Sequence, residues 1–121
     1  MEGPEVSVIR ETVLTYGRGY VVQIGVTGTI QTETGKVVDI EKLDYLLQEV
    51  RDVLAEAYIN KDNSKERLAP SIFPSYGLTA EVFCVWLATK LMEFLLVSDR
   101  VSPSFVRVYD TPTVFAELAI K

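Results

Sequence analysis

Histidine is absent from this 121-residue chain, and cysteine occurs once. Without histidine there is no Ser-His-Asp or Cys-His catalysis and no zinc site built on imidazole. A single cysteine makes neither an internal disulfide nor a Cys-rich zinc site. Positive charge is also in short supply: 12 Lys and Arg stand against 17 Asp and Glu, giving a net charge of −5 and a pI near 4.7. Nucleic acid and anionic membrane both demand a basic footprint, so neither is an expected partner. The most apolar stretch, Val82 to Val97, is broken by Lys90 and Glu93. It falls short of the roughly 20 residues that span a bilayer. The acidic start Met-Glu-Gly-Pro-Glu lacks the positive, then apolar, pattern of a signal peptide. The expectation is a cytoplasmic protein with no metal and no cofactor. Any catalysis would fall to Asp, Glu, Tyr, Lys, Arg or a bound cofactor.

What is present is apolar and patterned. The length suits one compact domain over residues 1–121. A hydrophobic fraction of 48% and a mean hydropathy of +0.18 are high for so much surface, which points to an oligomer hiding apolar area between subunits. Val6 to Leu14 is β-rich and ends at Tyr16-Gly17-Arg18-Gly19, a hairpin turn. From Tyr20 to Ile30, the residues Tyr20, Val22, Ile24, Val26 and Ile30 share one face of a strand, and Gln23, Thr27, Thr29 and Gln31 share the other. Asp39 is placed to cap a helix starting at Ile40, whose buried face is Ile40, Leu43, Leu47, Val50, Leu54 and Ala57. Asn60 to Gly77 is a long polar loop.

Thr79 caps a second helix from Ala80 to about Leu96, apolar around most of its circumference and so buried on more than one side. Phe105 to Tyr109 reads as a strand, Asp110 to Thr113 as a turn, and Val114 to Ile120 as the last strand. The order β-β-α-α-β-β predicts an α+β layer, an antiparallel four-stranded sheet with both helices on one face. Its edges carry little blunting charge, so joining sheets between subunits is one solution to their exposure.

This order of elements resembles the tunnelling fold. Tyr16-Gly17-Arg18-Gly19-Tyr20, Gly35-Lys36-Val37-Val38-Asp39-Ile40, Leu78-Thr79-Ala80-Glu81 and Val108-Tyr109-Asp110-Thr111 resemble, in altered form, motifs of the 6-pyruvoyl-tetrahydropterin synthase and 6-carboxy-tetrahydropterin synthase family. The resemblance spans Tyr16 to Ile120 and is strongest at Gly35–Ile40. In that family a His-Gly-His-Asn-Tyr motif supplies two of three zinc ligands. Tyr16 and Arg18 stand in those two places, and the third histidine has no counterpart in the chain. Thr12, Val13 and Leu14 occupy the stretch of the catalytic cysteine, and the proton-relay Asp-His pair falls on Ala55-Glu56. The resemblance therefore implies a degenerate member without the family's lyase chemistry, and trimers that close a shared barrel and stack as a hexamer.

One family position has a counterpart with a carboxylate. The late Glu-Thr that anchors the pterin ring aligns with Asp110-Thr111, one methylene shorter. A carboxylate there accepts two parallel N–H bonds from a 2-amino-4-oxo ring edge. A plain hairpin turn explains the same residues without a ligand. Thr79 and Glu81 match a family Thr-x-Glu, yet a helix cap with an acid in the first turn accounts for them equally. Arg18 is either an anion-binding substitute for the metal's charge or an exposed turn residue. Cys84 and Trp86 read as core. The favoured expectation is a zinc-free protein that binds a pterin- or purine-like heterocycle at a subunit interface through Asp110. The alternatives are a metal-free pterin-modifying enzyme using Tyr16, Arg18, Glu56 and Asp110, and a non-catalytic assembly or regulatory subunit.

Overall fold

Two β-hairpins flank two helices, in the order β1 (Glu5–Tyr16), β2 (Arg18–Thr29), α1 (Ile40–Asn60), α2 (Ala80–Leu95), β3 (Val101–Thr111) and β4 (Val114–Ala119). This is a computed structural model, and it describes residues 3–60, 73, 78–95 and 101–120. Most of the expected Asn60–Gly77 loop lies outside the described residues. The strands form one antiparallel sheet ordered β1-β2-β3-β4, which with the two helices gives the α+β tunnelling fold.

Alternation assigns the two faces of the sheet. Leu14, Tyr20, Val22, Ile24, Val26, Val106 and Val108 are buried under the helices. Register aligns them across the strands, with Leu14 opposite Tyr20, Ile24 opposite Val106, and Val22 opposite Val108. Leu43, Leu47, Val50 and Leu54 of α1 and Phe83, Leu87, Ala88 and Leu91 of α2 complete the core. Helix α1 is also tied to β1 by polar contacts, Arg10 Nε donating to Asp44 at 3.0 Å and Arg51 donating to Thr12 Oγ1 at 2.6 Å. Asp39 caps α1 through a bond from the Glu41 amide at 3.0 Å, and Thr79 caps α2 through one from Val82 at 3.1 Å.

The opposite face has no helix on it. Ile9, Val13, Val21 and Phe115 are exposed there, Ile9 by 54%. At its centre, one polar row crosses all four strands. Gln23 donates to Glu11 at 2.8 Å, Arg107 donates to Gln23 at 3.1 Å, and Arg107 Nε donates to Glu117.

Several boundaries differ from the sequence reading. The first hairpin turn contracts to Gly17, whose φ of +78° only glycine adopts without strain. Ile30 lies beyond β2 and is exposed, so it does not share the buried face. Ile40, the first residue of α1, is exposed as well and does not join the buried face of that helix. Helix α2 leaves Val85 and Met92 exposed, so its apolar girth exceeds what the fold buries. Strand β3 begins at Val101, not Phe105. Gly25 pairs with Phe105 and Val26 with Pro103, which leaves Ser104 as the extra residue of a bulge. A bulge tolerates the missing N–H of Pro103 and lets the strand continue.

Gly25 sits under that bulge. A Cβ added there would run into the Phe105 ring and lie 2.8 Å from Ser104 Oγ. Gly25→Ala is expected to destabilise the fold by about 1–3 kcal/mol, an overpacking cost, and Phe105→Ala in the same chain should recover part of the loss. Urea denaturation of the single and double variants measures both effects. Removing the α2 cap in Thr79→Ala should cost about 1 kcal/mol by the same measurement.

Candidate functional site

Gly17 turns the chain so sharply that Tyr16 and Arg18 become cross-strand partners at the tip of the first hairpin. Their side chains go to different places. Tyr16 joins an aromatic cluster, meeting Tyr58 edge-on at 5.3 Å and Phe73 at 5.0 Å between ring centroids. Phe73 and Phe83 both pack against Trp86, which makes Trp86 part of the core's rim.

Arg18 reaches sideways across the sheet end. Its guanidinium lies 4.3 Å over the Tyr20 ring. Nη2 donates to Asp110 Oδ1 at 2.7 Å, and Nη1 donates to the Asp110 carbonyl at 3.0 Å. Hydrogen bonding toward Tyr20, and after it the Asp110 carboxylate, raise the guanidinium's pKa above its ordinary value. It is a fixed cation. The two residues singled out separately in the sequence are therefore one unit.

Asp110 is available for this because of a second bulge. Tyr109 pairs with Phe115 and Thr111 with Val114, so Asp110 is the unpaired residue between them. Bulges re-aim side chains in this way at strand ends. Thr111 takes a different role from its neighbour. Its hydroxyl accepts from the Val114 amide at 3.0 Å and the Thr113 amide at 3.3 Å, closing the β3–β4 turn. The turn proper is Pro112-Thr113, shorter than the Asp110–Thr113 span expected from the residue types.

A cavity of about 430 Å³ opens beside this pair, lined by Glu11, Arg18, Gly19, Val21, Tyr109, Asp110, Thr111 and Pro112. Its walls come from the uncovered sheet face and from the two turns at one end of the sheet. The remaining candidates lie elsewhere. Thr79 and Glu81 sit at the start of α2 and line no part of this cavity. Glu56 is exposed on α1 and is not among the residues lining a cavity of about 480 Å³ formed by Thr15, Gly17, Arg51, Asp52, Ala55, Tyr58 and Ile59. Cys84 is buried, donates to the Val106 carbonyl at 3.1 Å, and has its thiol pKa pushed up by burial. It is poorly disposed to act as a nucleophile.

Sequence reasoning missed Glu11, Val21 and Tyr109 as lining residues and Tyr20 as the shelf for Arg18. The signal that finds them is strand register. Val13 faces Val21, Glu11 faces Gln23, and Tyr109 faces Phe115 on the uncovered side.

Comparison with known proteins agrees with this architecture. The family model of 6-pyruvoyl tetrahydropterin synthase matches residues 12–120. A solved structure of 6-pyruvoyl tetrahydropterin synthase from Caenorhabditis elegans superposes with a TM-score of 0.76 at 17% identity, covering 100% of this chain and 99% of that one. The Plasmodium vivax enzyme superposes with a TM-score of 0.58 at 15% identity, covering 96% of this chain and 98% of that one. No curated protein sequence matches the chain. At these identities the superpositions speak for the fold, while the match over residues 12–120 speaks for descent: the chain belongs to the 6-pyruvoyl tetrahydropterin synthase family.

Proposed function

We propose that this chain keeps the family scaffold without its zinc-dependent lyase reaction, and binds a pterin- or purine-like heterocycle through Asp110 where subunits meet. The observation that carries the reading is Asp110 itself, a bulge-exposed carboxylate at the mouth of a cavity of about 430 Å³. Val21, Tyr109 and Pro112 give that cavity apolar walls suited to a flat ring. The carboxylate accepts the paired N–H donors of a 2-amino-4-oxo edge.

The residues in the zinc-ligand places do not fit zinc. Arg18 holds a guanidinium that does not deprotonate, a positive charge that repels a metal cation whether or not it is paired with Asp110. Tyr16 is packed by its ring against Tyr58 and Phe73. The chain has no histidine to offer, and no cluster of three or more acidic or cysteine side chains is placed to hold a metal among the described residues. Cys84 lies within α2, away from Tyr16 and Arg18 in the sequence and buried under the sheet, so it does not replace the family's nucleophile.

The sheet supports assembly of several copies. Its uncovered face presents Ile9, Val13, Val21 and Phe115, and β1 and β4 each pair on one side only. Copies joined edge to edge would enclose that face in a shared barrel, as a trimer or a hexamer of two trimers. The cavity at Asp110 opens on the same face, so a neighbouring copy would complete its wall.

Calorimetric titration with unsubstituted pterin (2-amino-4-oxopteridine) tests the ligand claim. Wild-type protein should bind, and Asp110→Asn should bind about 10- to 100-fold more weakly, the loss expected for charge-assisted hydrogen bonds. Equal affinity of the two proteins would remove Asp110 as the anchor. Turnover of dihydroneopterin triphosphate by the wild type would contradict the loss of lyase activity.

A further inference from the structure

The Asp110 carboxylate is already occupied by a side chain of its own subunit. We propose that Arg18 is an internal competitor at this site: its guanidinium takes the acceptor that a ligand's N–H edge would take, and the heterocycle binds as Arg18 swings away. This rests on the reading of Asp110 as the ligand anchor.

Chemical likeness drives the competition. A guanidinium and a 2-amino-4-oxo ring edge both present adjacent N–H donors in one plane. Arg18 places one such donor 2.7 Å from Asp110 Oδ1 and a second 3.0 Å from the Asp110 carbonyl. The Tyr20 ring lies 4.3 Å from the guanidinium carbon and packs against it. Both partners are among the residues that line the same cavity, and the competition is for the Asp110 acceptor itself.

The latch is weak enough to open. The two side chains are 51% and 54% exposed, and ion pairs in such settings are marginal. An acceptor blocked to that degree reduces apparent affinity by the fraction of time it is free, so removing Arg18 should tighten binding about two- to sixfold. Salt gives a second handle. Screening weakens an exposed ion pair, so a neutral heterocycle should bind more tightly as ionic strength rises. A ligand held by net charge would do the opposite.

The test titrates unsubstituted pterin into intact wild-type protein, Arg18→Gln and Asp110→Asn, at low and high sodium chloride. Support is a two- to sixfold gain for Arg18→Gln, loss of the salt effect in that variant, and weakened binding by Asp110→Asn. Should Arg18→Gln fail to fold, the rising affinity of the wild type with salt carries the test by itself. Equal or weaker binding by a folded Arg18→Gln, with Asp110→Asn still impaired, overturns the competition and leaves the anchor standing. Absence of pterin binding in both wild type and Arg18→Gln overturns the anchor and the competition together.

Discussion

A four-stranded sheet whose helices cover only one face imposes most of what is notable in this molecule. Burying Leu14, Val22, Ile24, Val106 and Val108 under α1 and α2 settles the register of β1, β2 and β3. A slip by one residue would turn that whole set to the other side. Once register is set, the first hairpin tip and the β3–β4 turn arrive at the same end of the sheet. Arg18 and Asp110, 92 positions apart, then meet. The same register leaves Ile9, Val13, Val21 and Phe115 uncovered around a polar row from Glu11 to Glu117.

Local signals were easily read. Alternation from Tyr20 to Val26, the Leu43, Leu47, Val50 and Leu54 stripe of α1, and the caps Asp39 and Thr79 depend on near neighbours, and they appear in the structure as expected. The features that eluded the sequence are those settled at a distance. Ser102-Pro103-Ser104 looks like a break, and only the bulge opposite Gly25 and Val26 turns it into strand. Ile30 continues the alternation of β2 but has no sheet left to pack against. The residue types at Asp110-Thr111-Pro112 suit a turn, yet a bulge leaves Asp110 unpaired beside the cavity and gives only Thr111 a role in closing the turn. The Arg18–Asp110 pair had no local signature at all, since it exists only across the β2–β3 register.

In the proposed function, a region that the resemblance assigns to a metal is taken over by two kinds of packing. Aromatic rings of Tyr16, Tyr58 and Phe73 fill one part, and a guanidinium paired with a carboxylate takes the other. Both arrangements stabilise the hairpin tip without an ion. The absence of histidine from the whole chain acquires a local meaning here, because Tyr16 packs against Tyr58 and Phe73 and Arg18 is a fixed cation paired with Asp110.

Metal content measures that claim most directly. Purified protein equilibrated with excess zinc and then dialysed should carry far less than one zinc per chain when analysed by mass spectrometry of the elements. One zinc per chain, retained through dialysis and lost only to a strong chelator, would contradict the account.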